Sequence, residues 1–270
     1  MTNKIGFYCE ENTENKETTA VTKPEIKPRK SLVSVRFEKN NRVLAYYNDK
    51  FDLHKGDIVF VDGKLEGYRG FVEEVNYNFK IKLSDYKRVI ALADTTVKGE
   101  LFFSGNYFIS FDRNVIPYEK VLTWFKPPIN DEVEVVCSSD EGEGFPLEKN
   151  ISELKAPYSV KEKALDYLLE NKVVYLSVDG ENGKAIVDGT EPYEIEFTYK
   201  DGIVSGFVCD CYCNSICKHI VATIMCLQNI TEIIQKNYKD KCGNYFSAIS
   251  DYALFNATRN YSKKGSVTFN

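Results

Sequence analysis

Four of the eight cysteines fall within nine residues, in the run Cys209-Asp-Cys211-Tyr-Cys213-Asn-Ser-Ile-Cys217-Lys-His219. Thiolate sulfur and imidazole nitrogen are the donors zinc prefers, and three thiolates with one imidazole close a tetrahedron with no open position. Such a set does structural rather than catalytic work. The expected ligands are Cys209, Cys211, Cys217 and His219. Cys209 and Cys211 leave a strand on one face, and their sulfurs must approach to about 3.8 Å to share an ion at about 2.3 Å. A straight strand holds them further apart, so the chain has to curl there. Cys217 and His219 are separated by roughly 200° of helix, so both cannot point inward from regular turns. Cys217 is therefore expected just before a helix and His219 in its first turn. The ion would pin a strand end to a helix start.

The pair Cys211/Cys213 serves as well chemically, leaving three residues rather than five before Cys217. The longer loop lets the chain reverse without strain, which favours Cys209/Cys211 and leaves Cys213 as a bystander or an oxidisable thiol. A Cys217–His219 nucleophilic dyad suffers from the same angular separation and from its neighbouring thiols. His54, the one other histidine, sits in a turn (FDLHKGD) with no thiol near in sequence and reads as a solvated side chain. Cys226 falls on an apolar helix and reads as core; Cys9, Cys137 and Cys242 are scattered.

The elements that position the cluster are legible around it. YEIEFTYK and IVSGFVC flank Asp201-Gly202, a strong hairpin signal. A helix is predicted from Lys218 to about Lys236, apolar almost all round in its first two turns, which places it between a sheet and a second layer. Upstream, Ser159 and Glu162 have capping-box spacing for a helix through KALDYLLEN, with Ala164, Tyr167 and Leu168 as its apolar stripe. KVVYLSVD and GKAIVDG read as strands between that helix and the hairpin.

These residues resemble the SWIM-type zinc finger family: C-x-C, a spacer, then C-x-H opening a helix, preceded by a β-hairpin. The matching positions are Cys209, Cys211, Cys217 and His219, and the flanks Gly183-Lys-Ala-Ile-Val-Asp-Gly189 and CKHIVATIMCL are similar to the bacterial stand-alone version. The spacer is short, and Cys213 is additional. The resemblance covers about residues 170–235 and implies zinc ligation. It also implies binding to DNA or RNA, or to a protein partner.

The rest of the chain reads as strand-rich. There are 18 Tyr and 17 Phe but only 8 Pro, 28% of residues are charged, and the net charge is −5, an ordinary composition for a folded chain. SLVSVRF, RVLAYYN, DIVFVD, GFVEEV and FKIKL follow one another between turns, and a small closed barrel would remove their exposed edges. KGDIVFVDGKLEGYRGFVEEV resembles the central hairpin of SH3-like barrels of the Tudor and KOW kind, which often bind nucleic acids or peptides. Tyr46, Tyr47 and Tyr68 are candidates for stacking on bases. YKRVIALAD, GELFFSG, NYFISFD and DEVEVVC continue in β style, with a short helix at Tyr118–Phe125 after Pro117.

The expected organisation is a disordered tail at 1–30, a β-rich SH3-like domain at 31–128, an acidic linker at 129–158 and a SWIM-type zinc-binding domain at 159–270. The fold class is α+β. Residues 131–160 hold eight acidic against two basic residues, whereas Lys236, Lys239, Lys241, Arg259, Lys263 and Lys264 form a basic C-terminal run, a candidate phosphate-facing surface. No apolar run approaches the roughly 20 residues of a membrane helix, and the first residues have no secretory apolar core. Clustered thiols without a signal read as metal ligands in a reducing compartment, so a cytoplasmic address is expected. G-x-x-x-x-G-K-[ST], G-x-S-x-G and H-E-x-x-H are missing from the sequence. The expectation is a non-enzymatic zinc protein that binds nucleic acid or docks a helicase, nuclease or recombination protein, with neither membrane nor small-molecule substrate.

Overall fold

Alternation of apolar side chains governs the first strand. In β1 (Ser31–Phe37) every second residue is buried, Val33, Val35 and Phe37 among them, as a half-buried strand requires. It turns into β2 (Arg42–Asn48); β3 (Ile58–Val61), β4 (Gly70–Asn76) and β5 (Val89–Asp94) follow. The computed structural model describes residues 29–38, 41–95, 97–126, 144–213, 215–260 and 266–268. Within them the chain continues through β6 (Phe102–Ser104), β7 (Tyr107–Ser110), α1 (Tyr118–Leu122), β8 (Phe145–Pro146) and α2 (Tyr158–Leu169). Then come β9 (Val173–Asp179), β10 (Asn182–Asp188), β11 (Pro192–Lys200), β12 (Ile203–Cys209), α3 (Lys218–Asn237), β13 (Tyr245–Ser250), α4 (Asp251–Asn260) and β14 (Ser266–Thr268). The protein is α+β, mostly strands, in two largely antiparallel sheets.

The first sheet runs β14-β5-β3-β4-β1-β2. The β3–β4 hairpin forms where the sequence places it, β4 returns to β1, and β3 lies against β5. The sheet curls until Tyr47 of β2 donates its N–H to Lys87 O at 2.9 Å, beside the start of β5. Val33, Val35, Phe37, Tyr46, Val59, Val61 and Val72 fill its interior. Two expectations fail here. FKIKL is not a strand: it leads into a 3-10 turn at Leu83–Asp85, and Phe79 packs edge-on against Tyr47 at 6.2 Å. Its alternation reports one-sided contact without a ladder. Tyr46 and Tyr47 are only 5% and 3% exposed, Tyr46 within the sheet's interior and Tyr47 under Phe79 and Arg88, so neither offers an open face to a base; Tyr68 is half-buried.

The second sheet runs β6-β7-β13-β9-β10-β11-β12-β8 and is covered on both faces. Leu176, Val178, Ala185, Val187 and Ile195 point toward α2 and α3, whereas Val174, Tyr175 and Ile186 point toward α1, α4 and the first sheet. Double coverage explains why β9 is buried almost continuously rather than alternately. Ile58, Phe60, Ala91 and Ala93 of the first sheet share a core with Phe108, Trp124, Ile249 and Phe255.

The sheets do not divide where the expected domains do. β6 and β7, within 31–128, pair in the second sheet through β13, and β14, within 159–270, pairs with β5 of the first. Of the expected linker, 144–158 contains β8 and packs Phe145, Leu147, Ile151 and Leu154 on the second core. Residues 129–143 lie outside the described residues, as do the strand candidate DEVEVVC with Cys137, and 1–28 with Cys9. The capping box also fails: α2 starts at Tyr158 with Pro157 at its N-cap and no side-chain cap. Proline's fixed φ suits that boundary, and Ser159 is left inside the first turn. The described residues contain no helix long and apolar enough to cross a membrane.

Candidate metal centre

The β11–β12 hairpin carries the cluster. Asp201 (φ 51°) and Gly202 (φ 79°) form the tight turn, matching the right-handed twist of the flanking strands. The ladder runs from Lys200–Ile203 at the turn to Ile195–Cys209 at the far end, so Cys209 is the last residue of β12. Beyond it the chain leaves the ladder and curls. Cys217 then stops the loop as the N-cap of α3: its backbone is extended and its sulfur accepts from Ile220 N at 3.4 Å. His219 follows in the first turn, as the spacing requires.

These elements bring Cys209, Cys211, Cys217 and His219 together, with the candidate ligand atoms all within 4.8 Å of one another. Cys209 Sγ is 3.8 Å from His219 Nδ1. Edges of about 3.5–3.8 Å are those of a tetrahedron built with zinc–sulfur and zinc–nitrogen bonds, so the donor set fits an ion of this kind. Cys217 and His219 are buried, and Cys209 and Cys211 half-buried. Cys213 is exposed and lies outside the group, so the geometry assembles Cys209 with Cys211 rather than Cys211 with Cys213.

Two tyrosines hold the imidazole. Tyr193 at the start of β11 stacks on it with centroids 4.1 Å apart, and Tyr167 of α2 packs on it at 5.5 Å. Thr223 Oγ1 donates to His219 O at 2.9 Å. The ring therefore presents Nδ1 to the sulfurs, while Nε2 is buried without a hydrogen-bond partner. Lys218 Nζ lies 4.8 Å from the centre of the Tyr167 ring.

The thiols are chemically unequal. The hydrogen bond from Cys209, supported by His219 and the Ile220 N–H, draws Cys217 down to about 4. The same bond, with burial, pushes the Cys209 thiol far above its ordinary range, and burial raises Cys211 to about 11. A helix N-terminus favours thiolate in the same sense. The Cys217 sulfur is thereby favoured as thiolate, whereas Cys209 and Cys211 are held toward the thiol form.

A network missed in the sequence surrounds the Cys-Asp-Cys curl. Lys126, just past α1, donates to Glu194 Oε1 at 2.8 Å and to Asp210 Oδ2 at 2.6 Å. Glu194 N donates to Asp210 Oδ1 at 2.9 Å, Asp210 N donates back to Glu194 O at 3.2 Å, and Tyr118 OH donates to Glu194 Oε2. Burial pushes the Glu194 carboxyl up, but the bonds from Lys126 and Tyr118 outweigh it and hold the group below its ordinary value. Only Asp210 carried a signal, through its place between two cysteines; Lys126 lies 84 positions away.

The other candidates separate. His54 is exposed, Cys226 is buried with its sulfur 3.5 Å from Tyr107 Oη, and Cys242 is half-buried. In the basic run Lys241 is engaged with both carboxylate oxygens of Glu100 and lies over Phe102, while Lys236 and Lys239 are exposed. The Arg259 side chain, Lys263 and Lys264 lie outside the described residues. Comparison of this chain with protein-family models, with curated proteins and with solved structures gives no match.

Proposed function

We propose that the cluster is a structural zinc(II) centre and that the protein is a non-enzymatic binding or adaptor protein acting with nucleic acid, as the resemblance to SWIM-type zinc fingers implies. The observation that carries the metal reading is the convergence of three sulfurs and one imidazole nitrogen within 4.8 Å. The ion supplies four strong directional bonds between the end of β12 and the start of α3. The chain supplies the rest: Tyr193 and Tyr167 orient the imidazole, and the α3 N-terminus stabilises the Cys217 thiolate. With the donor set complete, a substrate has no coordination position to enter, which supports a structural role. Elemental analysis is expected to give about one zinc per chain, lost in Cys211→Ala. Retention of zinc by that variant overturns the ligand set.

The nucleic-acid part rests on the family resemblance and on Lys236 and Lys239. It predicts a mobility shift of single- or double-stranded DNA or RNA by zinc-loaded protein at low salt, weakening steeply as salt rises. No shift at low salt overturns it. A second reading, a module docking a helicase, nuclease or recombination protein, is favoured by α2. Tyr158, Leu165 and Leu169 are 75%, 46% and 71% exposed, and their spacing aligns them on one side of the helix. Under that reading Leu169→Glu abolishes capture of such a partner and leaves zinc content unchanged.

A further inference from the structure

We infer that Lys126 is a positioning residue of the metal centre, coupling its loading to the docking of the α1 segment on the second sheet. This rests on the metal reading above and adds the regulation of that site.

Successive same-face positions on a strand are about 6.8 Å apart, whereas the Cys209 and Cys211 sulfurs lie within 4.8 Å of each other. The chain must therefore be bent at Asp210, the residue between them. Its bend is held on two sides. Toward β11, Asp210 and Glu194 exchange backbone and side-chain bonds at 3.2 and 2.9 Å, extending the ladder past its last regular pair by substituting a carboxylate for a carbonyl. Toward α1, the second carboxylate oxygen is taken by Lys126 Nζ at 2.6 Å, and the same ammonium takes Glu194 at 2.8 Å. Both oxygens of Asp210 are thereby fixed, and its orientation with them. Metal sites depend on such outer partners for ligand orientation.

Charge gives a second, independent reason. Three thiolates with one divalent ion carry a net −1, and Asp210 and Glu194 add two carboxylates beside them. Lys126 bridges both carboxylates from a side chain that is 23% exposed, with Glu194 and Asp210 33% and 34% exposed. Without it, the two carboxylates beside the curl lose a shared cation.

Lys126 belongs to the segment that begins with Tyr118, whose hydroxyl donates to the same Glu194. Tyr118 also packs on Tyr175 of β9. The α1 segment and the metal ligands consequently share one polar node. By linkage, whatever detaches this segment weakens metal binding, and loading the metal tightens its docking by the same factor.

The test follows metal release from full-length zinc-loaded protein into excess chelator, with cobalt(II) absorption as a reporter of the ligand geometry. Lys126→Met is expected to release zinc about 10–100-fold faster. Lys126→Arg, able to span both carboxylates, is expected to restore most of the retention. Lys200→Met, which removes the exposed Lys200–Glu181 pair elsewhere on the same hairpin, should change nothing. The metal-free proteins separate positioning from folding: Lys126→Met and wild type should unfold at similar denaturant concentrations. Equal release rates for wild type and Lys126→Met overturn the inference while leaving the zinc reading intact. Failure of wild type to take up zinc or cobalt overturns both. Loss of retention matched by an equal loss of metal-free stability would make Lys126 an ordinary fold contact and also overturn it.

Discussion

The thiol–imidazole cluster joins residues no more than ten positions apart, whereas Arg69 joins parts of the chain that are 182 positions apart. Arg69 Nη1 donates to Asp251 Oδ1 at 3.0 Å, and Nη2 donates to Gly105 O at 2.8 Å and to Glu38 Oε2 at 3.2 Å. Its guanidinium also lies 4.9 Å from the Phe108 ring centre. The side chains of Arg69 and Asp251 are 3% and 7% exposed. One node thus gathers, between a strand end and a helix start, a donor set that could hold an ion. The other fastens the first sheet to β7 and α4 with the chain's own charges. A planar fork of donors can satisfy several acceptors at once where no water reaches, and a lysine cannot reproduce it. Neighbouring residues thus meet in a cluster suited to coordination chemistry, while the long-range architecture rests on a buried ion pair.

The sharpest way to break this contrast is Arg69→Met. It leaves Asp251 buried without its partner and is expected to cost about 3–5 kcal/mol of unfolding free energy, measured by denaturant titration. Zinc retention by the folded fraction should be unaffected, and a loss of zinc there would merge the two nodes. Next in size is the ion. At a free zinc concentration about 100 times the dissociation constant, unfolding free energy should rise by about 2.7 kcal/mol. Hydrogen exchange should show the protection concentrated at 209–219 and the start of α3. Since Cys209 and Cys211 are raised and must lose protons to bind, zinc affinity should increase with pH, more steeply than tenfold per unit if both are released.

The third effect belongs to the Arg69 node. Burial lifts the Asp251 carboxyl to about 6, with Arg69 opposing and Glu38 adding to the rise. A folded value above the unfolded value of about 3.9 means that the native state holds the extra proton between those limits. Stability from this group is therefore present below pH 4 and is lost as pH rises to 6, by an amount on the order of 2 kcal/mol. Asp251→Asn should remove that fall, so the stability–pH curves of variant and wild type diverge in this window; parallel curves would refute the assignment. The smallest effect is Tyr193→Leu, which removes the ring stacked on His219 and should cost about 1 kcal/mol. Its effect should vanish in chelator if the stack serves only to present the imidazole.

Legibility in the sequence followed the same division. β1 and β2 stand where their alternation predicts, and the Asp201-Gly202 turn and the entry to α3 were readable because turn and cap chemistry act over a few residues. The cluster was readable because ligand spacing is itself local. Lys126 and Arg69 were not, since no nearby residue reveals what a lysine or arginine meets after folding. Tyr46 and Tyr47 misled because strand alternation tells which residues share a face, not whether the sheet curls to enclose both faces. The capping box at Ser159 misled because Pro157 offered a competing boundary two residues earlier.

The interleaving of the two sheets has a consequence for the chain as it is made. β7 lies between β6 and β13, and its partner residues Ser247 to Ser250 emerge from the ribosome long after Tyr107 to Ser110. At about 5–20 residues per second that interval is on the order of ten seconds. Throughout it the apolar side chains of Phe108 and Ile109, fully buried in the finished protein, have only the β6 side of their ladder. The first half of this protein therefore cannot complete itself during synthesis; it has to wait, partly open, for the second.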